Sequence, residues 1–221
     1  MYDLIQRIAT LLPALLLSLT VHEYAHAWVA TKLGDSTPVR QGRLTLSPLP
    51  HIDPIGTIAL PILLQLTPGG GFLFGWAKPV QFSPANFTRK VTMWQGTALT
   101  AAAGPLSNVV LAALTAVVLR LLYTFVPSPP EALAVFLEML FQLNVVLAVF
   151  NLVPLPPLDG GHFIPRSLDR LKELLVRYSF LLFLLLFLVP IPGLGGTIGG
   201  LVIGPLSAAL RHVLESLVGL R

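Results

Sequence analysis

Cysteine is absent from the 221 residues, which excludes a disulfide framework and a thiolate metal site and leaves histidine and carboxylate to hold any metal. The redox compartment stays open on this ground. Charge is scarce too: 11% of residues are Asp, Glu, Lys or Arg, against roughly 25% in an ordinary soluble domain. No polar stretch is long enough for a second, soluble domain, so 1–221 reads as one membrane-embedded domain, a core over 1–165 followed by C-terminal helices over 166–221. The formal charge of +4 is small, and the basic residues fall in short segments between apolar runs. That pattern argues against nucleic acid as a partner and for membrane topology as the reason for the charges.

Apolar sequence is what the chain has in quantity, at 54%. No charged residue occurs between Lys90 and Arg120 or between Arg177 and Arg211, and both runs exceed the ~20 residues that a helix needs to cross a bilayer core. We expect an all-α polytopic membrane protein with three core spans, over 8–31, 92–123 and 132–154. The run 178–210, broken by Pro190, Pro192 and the glycines Gly193, Gly195, Gly196, Gly199 and Gly200, adds either one span and a re-entrant piece or two short tilted helices. Residues 54–68 are apolar, but only over about 13 positions before Thr67-Pro68 and three glycines, too few to cross. We expect a re-entrant or interfacial element there, followed by a small strand or hairpin over 71–82, where glycine, aromatic and β-branched residues mix.

Charge placement gives an independent reading. Lys32, Arg40 and Arg43 precede the 54–68 element, and Lys78, Arg89 and Lys90 follow it; Arg166, Arg170, Lys172 and Arg177 lie after the third core span, and loop 124–131 has no basic residue. If 54–68 does not cross, all three basic segments lie on the cytoplasmic side and the uncharged loop lies outside. The C-terminal ends of the first and third core spans then come to similar depth.

His22-Glu23-Tyr24-Ala25-His26 lies near the inner end of the first span. Residues four apart on a helix share a face, so both imidazoles can reach one Zn2+ while Glu23 is aimed at an attacking water as general base. The bare motif arises by chance in roughly one shuffled chain in a few hundred. Its setting adds weight, because ionisable groups inside an apolar helix are costly unless they bind something. The structural alternative is a pair of histidines satisfied by neighbouring helices. Catalytic zinc keeps three protein ligands, so one more is needed. Asp159, in Asn151-Leu-Val-Pro-Leu-Pro-Pro-Leu-Asp-Gly-Gly161, comes to the right depth on a segment that prolines and glycines break open. His162 and the His51/Asp53 pair are the other candidates, with interface or loop positions as their simpler explanation. The intramembrane amides Asn151 and Asn108 are candidates to bond substrate backbone or a developing oxyanion, with helix-to-helix bonding the plainer role for Asn108. Glu138 and His212 read as solvated or snorkelling groups near helix ends.

The pairing of HEYAH with NLVPLPPLDGG, together with Gly104-Pro-Leu-Ser-Asn108, resembles the site-2 protease family of intramembrane metalloproteases over about residues 8–165. The resemblance implies one zinc ion held by His22, His26 and Asp159, with Glu23 as catalytic base. It also implies hydrolysis of peptide bonds in or near transmembrane segments of membrane-protein substrates. The chain's size and basic-loop orientation suit a multi-pass protein of a prokaryotic inner membrane with its active site toward the cytoplasm. Within 71–82, Phe74, Gly75, Trp76, Ala77 and Lys78 correspond to the family's substrate-pairing β element. The sequence carries no PDZ insertion and no C-terminal nucleotide-sensing domain. A metal transporter, or a catalytically silent adaptor of the same fold, is the alternative function.

Overall fold

The computed structural model describes residues 2–66, 75–88, 90–187, 189–191 and 196–220. Helix α1 (Tyr2–Lys32) ends where Gly34, at φ +107°, turns the chain, so that Gly34 N–H bonds to Thr31 O and Asp35 N–H to Ala30 O. Those two bonds satisfy carbonyls that the helix end would otherwise leave unpaired. Four residues of helix, α2 (Thr37–Arg40), and a looping segment lead to a π-helical turn (Pro54–Ala59) continuous with α3 (Leu60–Gln65). Asp53 caps that turn, its Oδ1 accepting from Ile55 N at 3.0 Å and Gly56 N at 2.7 Å. Residues 54–65 rise about 18 Å, short of the ~30 Å bilayer core.

The segments on either side of this element meet. The buried Asp35 carboxylate accepts from Ser83 N at 2.6 Å and Asn86 Nδ2 at 2.8 Å, and Thr88 N–H bonds to Leu33 O at 2.7 Å. Two loops in contact cannot lie on opposite faces of a membrane, so the element that starts at Pro54, described as far as residue 66, does not carry the chain across, in keeping with the basic residues on both sides of it.

Helix α4 (Met93–Phe125) opens with a capping box in which Thr92 Oγ1 accepts from Gln95 N and Gln95 Oε1 accepts from Thr92 N. Helix α5 (Glu131–Asn151) stops before Pro154, Pro156 and Pro157, which cannot donate to a continuing helix. After a 3-10 turn (Asp159–Phe163) come α6 (Asp169–Arg177), α7 (Ser179–Phe187), a two-residue strand pair β1 (Pro190–Ile191) with β2 (Gly196–Thr197), and α8 (Ile198–Val218). Among the described residues, α1, α4, α5 and α8 are the helices long and apolar enough to span a membrane. Among the described residues of the run 178–210, α7 is a short apolar helix and α8 begins a span.

Contacts along their length make α4 antiparallel to both α1 and α5: His22 meets Asn108 while His26 meets Thr100, and Asn108 meets Asn144 while Tyr123 meets Glu138. Small residues sit fully buried where the helices approach, among them Ala14, Ala112, Ala116 and Ala148. Helix α8 packs Ile203 with Val149 near the C-terminal end of α5, and Leu214 with Leu137 and Phe141 nearer its N-terminal end. It is antiparallel to α5, which puts the end of α8 on the side of loop 124–131.

One expectation needs correcting. Over 75–82, the described part of the expected strand, no regular ladder forms. Trp76 N–H bonds to Gly56 O at 3.1 Å and Lys78 N–H to His51 O at 2.9 Å, but the partner segment is wound into 3-10 and π turns and Pro79 has no donor. Phe74 lies outside the described residues.

Candidate metal centre

His22 and His26 lie one turn apart on α1, buried against α4. Their approach depends on Gly104: a Cβ there would stand 2.6 Å from His22 Nε2 and Cε1 and closer still to His26 Nε2. Asp159 arrives from the opposite side on the turn after α5. Gly160 and Gly161 let that turn fold back, since side chains at those positions would strike the Val153 and Leu152 carbonyls and Pro156. The outcome is a tight group, with His22 Nε2 3.0 Å from His26 Nε2, 3.1 Å from Asp159 Oδ2, and His26 Nε2 3.3 Å from Asp159 Oδ1. His22, His26 and Asp159 are the one set of three metal-ligating side chains that converges among the described residues.

Proton placement shows that the group fits zinc. His26 Nδ1 lies 2.7 Å from Thr100 O, a pure acceptor, and His22 Nδ1 lies 2.6 Å from Asn108 Oδ1. Both imidazoles therefore donate through Nδ1 and turn a lone pair inward at Nε2. Two nitrogen lone pairs and a carboxylate, 3.0–3.3 Å apart, repel one another unless a cation lies among them. Tetrahedral ligands with bonds of 2.0–2.2 Å stand roughly 3.3 Å apart. Asp159 Oδ2 is buried without a hydrogen bond although it lies 3.1 Å from His22 Nε2, as expected of an acceptor that faces another acceptor.

Glu23, 8% exposed, has Oε2 fixed by Val80 N–H at 2.7 Å. It lies in the wall of a chamber of about 550 Å³ that also includes His22, His26, Asp159, Ala77 and Asn151. Asn151 turns one amide N–H back to Leu147 O at 3.0 Å, within its own helix. Asn108 is different: fully buried behind His22, it spends Oδ1 on the imidazole and Nδ2 on Asn144 Oδ1 at 2.7 Å and does not line the chamber. Its geometry supports His22 and leaves no group for an oxyanion. His162 lines the chamber but is not in the converging set, and burial pushes its imidazole below the usual histidine range. His51 donates to Thr45 O at 3.0 Å and, like Asp53, does not line the chamber. Sequence reasoning gave Gly104 no role of its own and overlooked Ser18, Asn144 and Val80. Ser18 had a signal, since 18, 22 and 26 share one helix face.

The model of Peptidase family M50 matches residues 127–189, the part of the chain that carries Asp159. The Bacillus subtilis (strain 168) protein named "Putative zinc metalloprotease YwhC" is 41% identical over 187 residues, 80% of this chain and 79% of that protein. The chain belongs to peptidase family M50. The Rip2 proteins of Mycolicibacterium smegmatis and Mycobacterium tuberculosis, which bear the same description, are 31% and 33% identical to this M50 chain, each match spanning 79% of it and 65% of the relative. No solved structure matches. Family and relatives support a zinc metalloprotease with several membrane helices, and the convergence of His22, His26 and Asp159 supplies the donor set that such an enzyme requires.

Proposed function

We propose that this M50 chain is an intramembrane endopeptidase that hydrolyses peptide bonds in or near transmembrane segments of membrane-protein substrates. The observation that carries the reading is the convergence of two histidines, a carboxylate and a separate buried glutamate in one chamber between membrane-length helices. Zinc held by His22, His26 and Asp159 would supply a Lewis acid that acidifies water and polarises the scissile carbonyl. Glu23 takes the proton from the attacking water and returns it to the leaving amine. Its Oε2 is anchored by Val80 N–H, which leaves Oε1 for that transfer.

A transmembrane helix hides its peptide bonds, so the substrate must be extended before attack. Segment 75–80 suits that task by the phase of its hydrogen bonds. The N–H groups of Trp76, Lys78 and Val80 all turn to one flank, toward Gly56 O, His51 O and Glu23, and the carbonyls of Trp76 and Lys78 accept from Thr57 Oγ1 and Arg43. Alternation leaves Gly75 and Ala77 to present their peptide groups on the other edge. Ala77 is 6% exposed, lines the chamber, and neither its N–H nor its C=O has a protein partner among the described residues. Of the pairing candidates Phe74 to Lys78, we therefore assign the role to Gly75 and Ala77. A second, apolar cavity of about 220 Å³ shares Gly75, Leu147 and Phe150 with the chamber and offers room for substrate side chains.

By the basic-loop pattern, the site faces the cytoplasm of a prokaryotic inner membrane. The test is cleavage of a labelled single-span substrate by the purified protein in proteoliposomes. Wild type should produce fragments cut within or beside the span, and Glu23→Gln should produce them at least about 100-fold more slowly. Equal cleavage by both would refute the mechanism.

A further inference from the structure

Behind the metal-facing histidines lies a buried polar chain that the proposed chemistry does not use. Ser18, Asn108 and Asn144 are each fully buried, on α1, α4 and α5. Ser18 Oγ donates to Ala14 O at 2.7 Å, so its lone pair receives Asn144 Nδ2 at 2.8 Å. The other Nδ2 hydrogen of Asn144 goes to Leu140 O at 2.8 Å. Backbone carbonyls accept and never donate, which fixes the Asn144 amide: its nitrogen faces Leu140 O and its Oδ1 faces Asn108. Asn108 must then donate through Nδ2, at 2.7 Å, and its Oδ1 is left toward His22 Nδ1, at 2.6 Å. Turning Asn108 over would set two carbonyl oxygens against each other in a dry interior. His26 needs no such relay, because Thr100 O, a backbone carbonyl, faces its Nδ1 directly.

We propose that Asn144, acting through Asn108, is a positioning residue that selects the Nδ1–H tautomer of His22 and so keeps Nε2 free to bind metal. The Leu140 carbonyl on α5 thereby decides which nitrogen of a ring on α1 carries the proton, three side chains away. With Asn144→Leu, little would hold Asn108 in its orientation beyond a 3.5 Å contact from its Nδ2 to Ser18 O. The amide would then be free to present N–H to His22, which favours the Nε2–H tautomer that cannot bind metal. Outer partners of metal ligands are typically worth about 10–100-fold in metal affinity.

This inference rests on the reading of His22 as a metal ligand, and its test separates the two. Full-length protein would be purified in detergent, with the histidine tautomers read from ¹⁵N shifts of the metal-free form at a pH where imidazoles are neutral and zinc affinity from competition with a chelator. In wild type, His22 should carry its proton on Nδ1. Asn144→Leu should shift His22 toward Nε2–H and weaken zinc about 10-fold or more. Ser18→Ala should change neither, because Leu140 O still orients Asn144. At the next link, Asn108→Leu should weaken zinc, and Asn108→Asp, which still offers an oxygen to His22 Nδ1, should preserve both tautomer and affinity. An Nε2–H tautomer in wild type would overturn the relay, even if no variant folds. So would wild-type tautomer and affinity in Asn144→Leu, or a loss in Ser18→Ala as large as that in Asn144→Leu. Absence of zinc binding by wild type would sink the metalloprotease reading while leaving the tautomer result standing.

Discussion

Replacing Gly104 by alanine sets two effects against each other. In a helix interior alanine is favoured over glycine by about 1 kcal/mol, so on propensity alone the variant should be the more stable. The added Cβ, however, would lie 2.6 Å from His22 Nε2 and Cε1, about 1 Å inside ordinary contact. Helix α4 cannot easily retreat, because Thr100 O and Asn108 Oδ1, about one turn to either side, hold His26 and His22. The imidazoles must then move, and a displacement of about 1 Å in a catalytic constellation costs on the order of 100-fold in rate. We expect Gly104→Ala to keep its helix content by circular dichroism, to lose most of its zinc by elemental analysis, and to cleave a single-span substrate about 100-fold more slowly. Full zinc content with wild-type cleavage would show that the helices do not meet edge-on at Gly104.

Glu23→Gln should retain zinc and lose cleavage by roughly 100- to 10,000-fold, the usual worth of a positioned general base; single-turnover assays on metal-loaded protein measure both. Ala77→Pro removes the N–H assigned to substrate pairing, so it should lower the rate on a transmembrane substrate with zinc content unchanged. Asp35 accepts from Thr37 N, Thr37 Oγ1, Ser83 N and Asn86 Nδ2; burial works against its charge, but those four donors hold it below the usual carboxylate range. Its folded pKa is thus below its unfolded one, so its stabilisation is complete above about pH 4 and is lost as pH falls through the folded value. Asp35→Asn should cost about 1–3 kcal/mol at neutral pH and flatten the acid limb of the stability profile, as followed by thermal unfolding across pH.

Helices α1, α4 and α5 were legible because long uncharged runs leave few alternatives, and the first half of the metal site because i, i+4 spacing places both histidines on one face. Asp159 was legible for a different reason: prolines and glycines mark where backbone leaves a membrane helix, and the basic residues fix its depth. Less could be read where structure depends on pairs distant in sequence. Nothing in 71–82 reveals that its partner segment would be wound into 3-10 and π turns, so a strand was expected where single bonds to His51 O and Gly56 O form instead. Asn108 read as a group aimed at substrate or a neighbouring helix, and only the packing of three helices shows it behind His22. The role of Gly104 stayed hidden for the same reason: the need for a missing Cβ belongs to the neighbour it faces.

The most direct test of the central claim is zinc K-edge absorption on the purified protein. One zinc per chain, with two imidazole nitrogens and carboxylate oxygen at about 2.0–2.2 Å, unchanged in His162→Ala and altered in Asp159→Asn, is what the geometry predicts. A zinc shell that survives Asp159→Asn and loses a nitrogen in His162→Ala would contradict it.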